Sequence, residues 1–325
     1  MKRILRWLLA VSLAALLALA GAYAWFLSWL DAPGPSGQET VVLIPRGTGI
    51  AGIAQRLVQQ QVVSHVKLLE LAAWYTDTAG RLKAGEYLFP AAETPRRALE
   101  RIAAGRVMVR RLTIPEGLSS AAIRQLVEAA EAMSGEWPKE PVPEGALLPE
   151  TYHYVYGDNR ADLVARMRKS HENLLAELWA KRASDLPFTT PEQAVILASI
   201  VEAETPIPAE RARVAGVYIN RLRKGMRLQA DPTVVYGLTK GERELDRPLS
   251  RADLAKATPW NTYTVDGLPP TPINHPGRAS LAAVLQPEQH DFLFFVADGK
   301  GGHLFATTYE QHLKNVAAYR ASQRR

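Results

Sequence analysis

The chain has 325 residues, 47% apolar and 22% charged, which gives room for two or three modest domains and excludes wholesale disorder. The net charge is +6, and Lys2, Arg3 and Arg6 supply three positive charges before the first apolar run; the remainder is mildly basic, without the basic tract that would mark a nucleic-acid binder. There is no cysteine, so disulfides, zinc–thiolate sites, thiol nucleophiles and lipid anchoring through an N-terminal cysteine are excluded, while the compartment is left open.

From Leu8 to Leu30 the chain carries no charged residue. As a helix this run would extend about 35 Å at ~1.5 Å per residue, enough for a hydrocarbon core of about 30 Å. Basic residues precede it and Asp31 follows, so the positive-inside rule makes residues 1–7 a cytoplasmic tail and exports the rest. Trp25 and Trp29 fall where an interfacial aromatic belt belongs. The alternative is a cleaved signal peptide, because Ala18-Leu19-Ala20 and Ala22-Tyr23-Ala24 both resemble cleavage sites. The apolar run continues past both through Trp25, Phe26 and Leu27, which favours a retained anchor. The expectation is a single-pass protein of the cell inner membrane with its C-terminal bulk in the periplasm. Residues 31–39, rich in Pro, Gly and Ser, read as a linker.

Val41 to Ile44 reads as a strand, Pro45-Arg46-Gly47-Thr48-Gly49 as a turn, and Ile50, Ile53, Ala54 and Leu57 as one face of a helix. A similar unit recurs seventy residues on. Ile44, Pro45, Gly47, Ala51, Ile53 and Gln55 align without a gap with Ile114, Pro115, Gly117, Ala121, Ile123 and Gln125. Gly85 to Phe89 reads as another strand. The Gly47-Thr48 turn followed by Ile53-Ala54-x-x-Leu57 resembles a LysM-type glycan-binding module; the plain alternative is a small α+β domain with Ile53, Leu57, Leu68 and Leu71 as core. Residues 138–149 read as loops, and Asp162 to Arg182 as a structural helix.

Thr190-Pro191-Glu192-Gln193 is a strong helix start: Thr190 caps, Pro191 suits the first position, and Gln193 completes a capping box. Ala194 to Val201 is almost wholly apolar, so this helix should be buried. Glu202 and Glu204 follow before Thr205-Pro206 ends it. Burial and the negative end of the helix dipole both disfavour a carboxylate there, and a carboxyl that keeps its proton near neutral pH is what a general acid requires. At about 100° per residue the two glutamates lie roughly 200° apart, so they do not share one site. The structural alternative for either is an ion pair with Arg211 or Arg213.

Beyond this point the motifs are long. Ala198-Ser-Ile-Val-Glu-Ala-Glu-Thr205, Glu210-Arg211, Asn220-Arg221-Leu222, the run Gly225 to Gly237, Leu249 to Leu254, Asn261-Thr262-Tyr263, Gly267-Leu268-Pro269-Pro270, Pro276-Gly277 and Phe295 to His303 resemble the YceG-like family of endolytic murein transglycosylases. The resemblance covers nearly the whole chain and is densest from about residue 145 onward. It departs at Trp260, where a tyrosine is expected, and at Ala306, where a polar residue often stands.

The resemblance implies an α+β architecture: one N-terminal transmembrane helix, a LysM-like domain over residues 40–110 and a catalytic domain over 111–325. It implies that Glu204, the acid before Thr205, is catalytic, with Glu202 as secondary candidate. The implied reaction cuts the MurNAc–GlcNAc β-1,4 bond of peptidoglycan without water, one carboxyl serving as acid and then base. The implied setting is a membrane-tethered enzyme near peptidoglycan synthases.

Gln229, Asp231, Tyr236, Asn261 and Tyr263 are candidate substrate-binding residues. They offer amides, a carboxylate and ring faces suited to sugar hydroxyl and N-acetyl groups. For Asp231 the alternative is a turn cap, and for Tyr236 a core position. Glu210 with Arg211 reads as a structural ion pair, and His303 as a loop or strand residue. No H-E-x-x-H, P-loop, G-x-S-x-G or G-x-G-x-x-G pattern occurs, so no metal, nucleotide or other cofactor is implied. Two rival functions remain: a two-carboxylate hydrolase using Asp231 or Glu202 beside Glu204, and a non-catalytic peptidoglycan-binding scaffold.

Overall fold

The computed structural model describes residues 2–323. The chain divides into two compact units. One runs up to Arg110 and includes Val155–Gly157; the other comprises Arg111–Tyr154 and the chain from Asp158 onward.

The N-terminal unit contains α1 (Lys2–Asp31), β1 (Thr40–Ile44), α2 (Ile50–Gln59), α3 (Val66–Tyr75), β2 (Gly85–Phe89) and α4 (Pro95–Ala104). β1 and β2 pair antiparallel, with Val42 opposite Tyr87. The strand alternation sends Val42, Ile44, Tyr87 and Phe89 into the core. Ile53, Ala54 and Leu57 of α2 and Leu99 and Ile102 of α4 close over them. Each such large apolar side chain contributes roughly 1.5–3 kcal/mol on burial. α4 is fixed at both ends: Thr94 accepts from the Arg97 amide, Pro95 sits in the first turn, and Gly105 takes the left-handed conformation at φ 71°.

Two sequence expectations are corrected here. Leu68 packs half-buried against the core as expected, but Leu71 is 54% exposed. Leu69, Ala72 and Ala73 form the inward stripe of α3, whose inward face is out of phase with position 71. The apolar N-terminal helix also overruns its expected limits, extending from Lys2 to Asp31. Phe26 and Leu30 are buried in the core of this unit, and Arg96 clamps Asp31 with Nε to Oδ1 at 2.7 Å and Nη2 to Oδ2 at 3.0 Å. The last two turns of the apolar helix therefore belong to the folded unit. α1 is long and apolar enough to cross a membrane.

β3 (Arg110–Thr113) starts at the boundary. It is followed by α5 (Ser120–Ala129), β4 (Thr151–Tyr154), α6 (Arg160–Ala180), α7 (Pro191–Glu204), α8 (Arg211–Arg223), α9 (Asp231–Thr239), α10 (Arg251–Ala255), α11 (Arg278–Leu285), β5 (Phe294–Ala297), β6 (His303–Ala306) and α12 (Tyr309–Ser322). β3 pairs with β4, and β5 and β6 form an antiparallel pair with Phe295 opposite Phe305. The architecture thus mixes helices with small two-stranded sheets. The strand–turn–helix repeat is present in the backbone: Gly47 and Gly117 hold φ of 80° and 79° in corresponding turns, and Ile53 and Ile123 are both buried. Glycine meets the left-handed requirement there without a Cβ penalty.

α7 is the central helix of the C-terminal unit. Every residue from Ala194 to Val201 is buried, against α11, α8, α9 and α6. Its start is the expected capping box: Thr190 Oγ1 accepts from the Gln193 amide, and Gln193 Oε1 from the Thr190 amide at 3.2 Å. Its end is set by Pro206, which forces Thr205 into extended backbone at ψ 123°. A buried helix is thus terminated immediately after Glu204.

Candidate active site

Glu204 is the last residue of α7 and is partly buried. Its Oε1 accepts a hydrogen bond of 2.8 Å from the Tyr218 hydroxyl on α8, and Tyr218 is 2% exposed. Burial raises the Glu204 pKa to about 7, the nearby Asp231 charge adds to the rise, and the Tyr218 hydrogen bond, His303 and Arg221 oppose it. The group therefore exchanges its proton near neutral pH. With Oε1 held by Tyr218, the proton of the acid form sits on Oε2, free to be donated.

Glu202 has a different environment. Its side chain is 5% exposed and pairs with Arg211 Nη2 at 3.0 Å, while its Oε2 accepts from the Gly277 amide at 2.9 Å. Arg211 also meets Glu116 at 3.2 Å. This is the ion-pair alternative read for Arg211; Arg213 pairs with Glu288 at 2.9 Å. Glu202 fastens the α7 end to α8 and to the loop before α11.

The candidate binding residues separate into three groups. Asp231, Tyr263 and Gln229 lie beside Glu204 or its neighbours. Asp231 opens α9 and accepts the Tyr263 hydroxyl at 2.6 Å. Burial first, then Asp231, raises the Tyr263 pKa, which keeps the hydroxyl a donor. The capping alternative for Asp231 is not what its side chain does: no side-chain cap is made at this end, and Thr233 instead donates to the Ala230 carbonyl at 2.6 Å. Gln229 is exposed, holds a left-handed φ of 52°, and accepts from Arg221 at 3.4 Å.

Asn261 stands apart from these. It is 1% exposed, with Nδ2 donating to the Leu254 and Lys256 carbonyls at 3.0 and 2.7 Å and Oδ1 accepting from the Tyr263 amide at 2.9 Å. Its amide is consumed in holding the loop that carries Tyr263 and offers no free group to a sugar. Tyr236 is in the third group. It packs on Trp260 at 5.7 Å and lines, with Glu144, Val195 and Pro272, a cavity of about 910 Å³ whose wall does not include Glu204. Trp260 thus keeps the aromatic contact expected of a tyrosine, and donates to Thr271 at 2.9 Å. Ala306 is fully buried, a place where an unpartnered polar side chain would be costly.

Sequence reasoning missed the places taken by four residues, Tyr218, Glu210, His303 and Arg221. Tyr218 had a signal: a hydroxyl on the buried face of an apolar helix needs a partner. Glu210 was expected to pair with Arg211, and the structure corrects this. Glu210 accepts from the His303 backbone amide at 3.1 Å and bonds His303 Nδ1 at 2.6 Å, because adjacent residues around a turn point to different sides. His303 is therefore oriented by a carboxylate, and its ring meets Phe295 edge-on at 5.4 Å, as Tyr218 does at 5.9 Å. Arg221 is 8% exposed and donates to the Leu228 and Leu293 carbonyls at 2.8 and 2.7 Å. It brings a buried positive charge close to Glu204. Among the described residues no group of His, Asp and Glu is arranged to hold a metal ion.

Glu204, with its pKa raised to about 7, is thus surrounded by Tyr218, Asp231 and a histidine oriented by Glu210. The chain belongs to the YceG-like family, whose profile matches residues 42–318. The "Endolytic murein transglycosylase" of Bacillus subtilis (strain 168) is 27% identical over 339 residues, covering 94% of this chain and 92% of that protein. A protein of the same name from Streptococcus pneumoniae serotype 2 is 27% identical over 351 residues, covering 92% of this chain and 62% of that protein. Among solved structures, a yceG-like protein from Listeria monocytogenes superposes with a TM-score of 0.52 at 28% identity, covering 86% of this chain and 99% of the other.

Proposed function

We propose that the chain is an endolytic murein lytic transglycosylase cleaving the β-1,4 bond between N-acetylmuramic acid and N-acetylglucosamine, and that Glu204 is its catalytic residue. The observation that carries the reading is Glu204, held by Tyr218 and with its pKa raised to about 7. Protonated Glu204 donates to the glycosidic oxygen as the C1–O bond breaks through an oxocarbenium-like state. The carboxylate then takes the proton of the muramoyl C6 hydroxyl, whose oxygen attacks C1. The products are a 1,6-anhydro end and a free sugar hydroxyl, and Glu204 returns to its acid form. No water enters, so no second carboxylate is needed, unlike in ordinary retaining or inverting glycosidases. Asp231, Tyr263 and Gln229 bind and orient the sugars.

The name borne by the relatives supports this reading, as does the family. The finer organisation belongs to the same proposal: α1 as a single-pass inner-membrane anchor with a periplasmic C-terminal bulk, residues 40–110 as a LysM-like glycan-binding domain, 111–325 as the catalytic domain, and a place near peptidoglycan synthases where strand length is limited. One observation favours keeping the hydrolase in view, since the Asp231 charge reaches Glu204.

The test is mass spectrometry of purified peptidoglycan digested with the detergent-solubilised full chain, beside Glu204→Gln. Anhydro-muramoyl ends, one water lighter than hydrolysis products and absent with Glu204→Gln, are expected. Reducing ends would establish the two-carboxylate hydrolase instead, and unchanged cleavage by folded Glu204→Gln would remove Glu204 from the mechanism.

A further inference from the structure

The acid–base site leaves three large side chains of the N-terminal unit unexplained. Leu71, Trp74 and Tyr75 of α3 are 54%, 71% and 48% exposed. With Lys67 they form one stripe at helical spacing. Isolated apolar residues on a surface are ordinary, but a contiguous aromatic edge marks an interaction surface.

The contacts of α3 with α1 give the level of this edge. The Tyr75 hydroxyl meets that of Tyr23 at 2.9 Å, and its ring meets Phe26 edge-on at 5.6 Å. At the other end of α3, Trp29 Nε1 donates to Ser64 Oγ at 2.9 Å and its ring lies 6.5 Å from His65. α3 therefore descends along α1, and its C-terminal end lies at the height of Tyr23 to Phe26. The two helices belong to one body, because Phe26 and Leu30 of α1 are buried in the same core as Leu69, Ala72 and Ala73 of α3, and Arg96 of α4 holds Asp31 at the end of α1.

That height coincides with a membrane boundary. A hydrocarbon core of about 30 Å takes about 20 residues of helix. Counted from Trp7, the first residue after Arg6, these end at Phe26. Tyr75 and Trp74 thus lie at the interfacial level, where tyrosine and tryptophan concentrate.

We propose that the edge formed by Leu71, Trp74 and Tyr75 is seated in the interfacial layer of the phospholipid bilayer that α1 crosses, so that this unit meets the membrane at two places and cannot swivel about the anchor. This rests on the membrane-anchored reading above. The chain has no cysteine, so single nitroxide labels can be placed cleanly. Full-length chains carrying Trp74→Cys, Leu71→Cys or, as a reference beside the Asp31 clamp, Arg97→Cys are reconstituted into phosphatidylcholine–phosphatidylglycerol vesicles. Power saturation is then measured with oxygen and with a water-soluble nickel chelate. The oxygen-to-nickel accessibility ratio is expected to be several-fold higher at 71 and 74 than at 97. Equal ratios at all three sites in protein that floats with the vesicles overturn this inference and leave the anchor intact. Failure to float overturns the anchored reading and this one with it. Two labelled positions guard against a local effect of replacing Trp74.

Discussion

Replacing Tyr218 by phenylalanine separates the proton chemistry of Glu204 from its position. The variant keeps the ring, and with it the edge-on contact to Phe295, but deletes the one hydrogen bond that Glu204 Oε1 accepts among the described residues, of 2.8 Å. That bond favours the charged carboxylate and holds the pKa of about 7 below what burial alone would set. A hydrogen bond to a charged group contributes about 1.5–3 kcal/mol, and each pKa unit corresponds to about 1.4 kcal/mol, so the Glu204 pKa should rise by roughly one to two units. Because the first step needs the protonated acid, kcat/KM falls as pH rises through this pKa. In Tyr218→Phe that descending limb should move to higher pH by about one unit or more. The plateau rate should drop by about tenfold as the carboxyl loses its orientation. The assay is release of anhydro-ended fragments from glycan strands between about pH 5 and 9, the range that brackets the acid's titration. A descending limb that stays in place, or moves to lower pH, would refute the assigned role of the hydroxyl.

Asp231→Asn removes a negative charge that raises the Glu204 pKa, so the descending limb should shift to lower pH while the products remain anhydro-ended; product mass and a pH profile check both. Glu202→Gln weakens a pair whose carboxylate is 5% exposed and leaves Arg211 with Glu116 alone as its carboxylate partner, so it should cost about 1–3 kcal/mol of stability by denaturant titration while leaving the product type unchanged. Asn261→Ala strands the Leu254 and Lys256 carbonyls. It should cost about 1–3 kcal/mol and raise KM more than it lowers kcat, because it loosens the loop bearing Tyr263.

The buried helix α7 and its capping box were legible because both are local: the Thr190–Gln193 spacing and the apolar run to Val201 require no knowledge of partners. The proton-retaining carboxyl was legible in kind, since two acids at the end of such a helix are disfavoured as charges wherever the chain takes them. The partners of the two acids were not legible. Tyr218, His303 and Asp231 reach the site from three separate segments, and Asn261 spends its amide on backbone carbonyls that only the folded loop brings near. The phase of α3 was misread for a related reason. Leu68, Leu69 and Leu71 are equally apolar, and only packing against α2 and α4 decides which of them faces inward.

Glu202 and Glu204 show how partners decide chemistry where composition does not, and their stability signatures should differ accordingly. Both leave the same buried helix end, two residues apart. Glu202 turns toward a guanidinium and a backbone amide, which suits a charge kept in place. Glu204 turns toward a neutral phenol, with an aspartate charge near enough to oppose ionisation. Its folded-state pKa is raised from 4.5 to about 7, so the folded chain binds the proton more tightly than the unfolded one, and stability falls as pH rises between those values. At about 1.4 kcal/mol per unit the full cost above neutrality is of the order of 3 kcal/mol. Glu204→Gln removes the titration and keeps the shape, so it should melt higher than the parent at about pH 8 and level with it at about pH 4, below both titrations. Equal melting at both pH values would mean that the carboxyl is not held in its proton-retaining state by the fold, and the acid role argued from that state would fall with it.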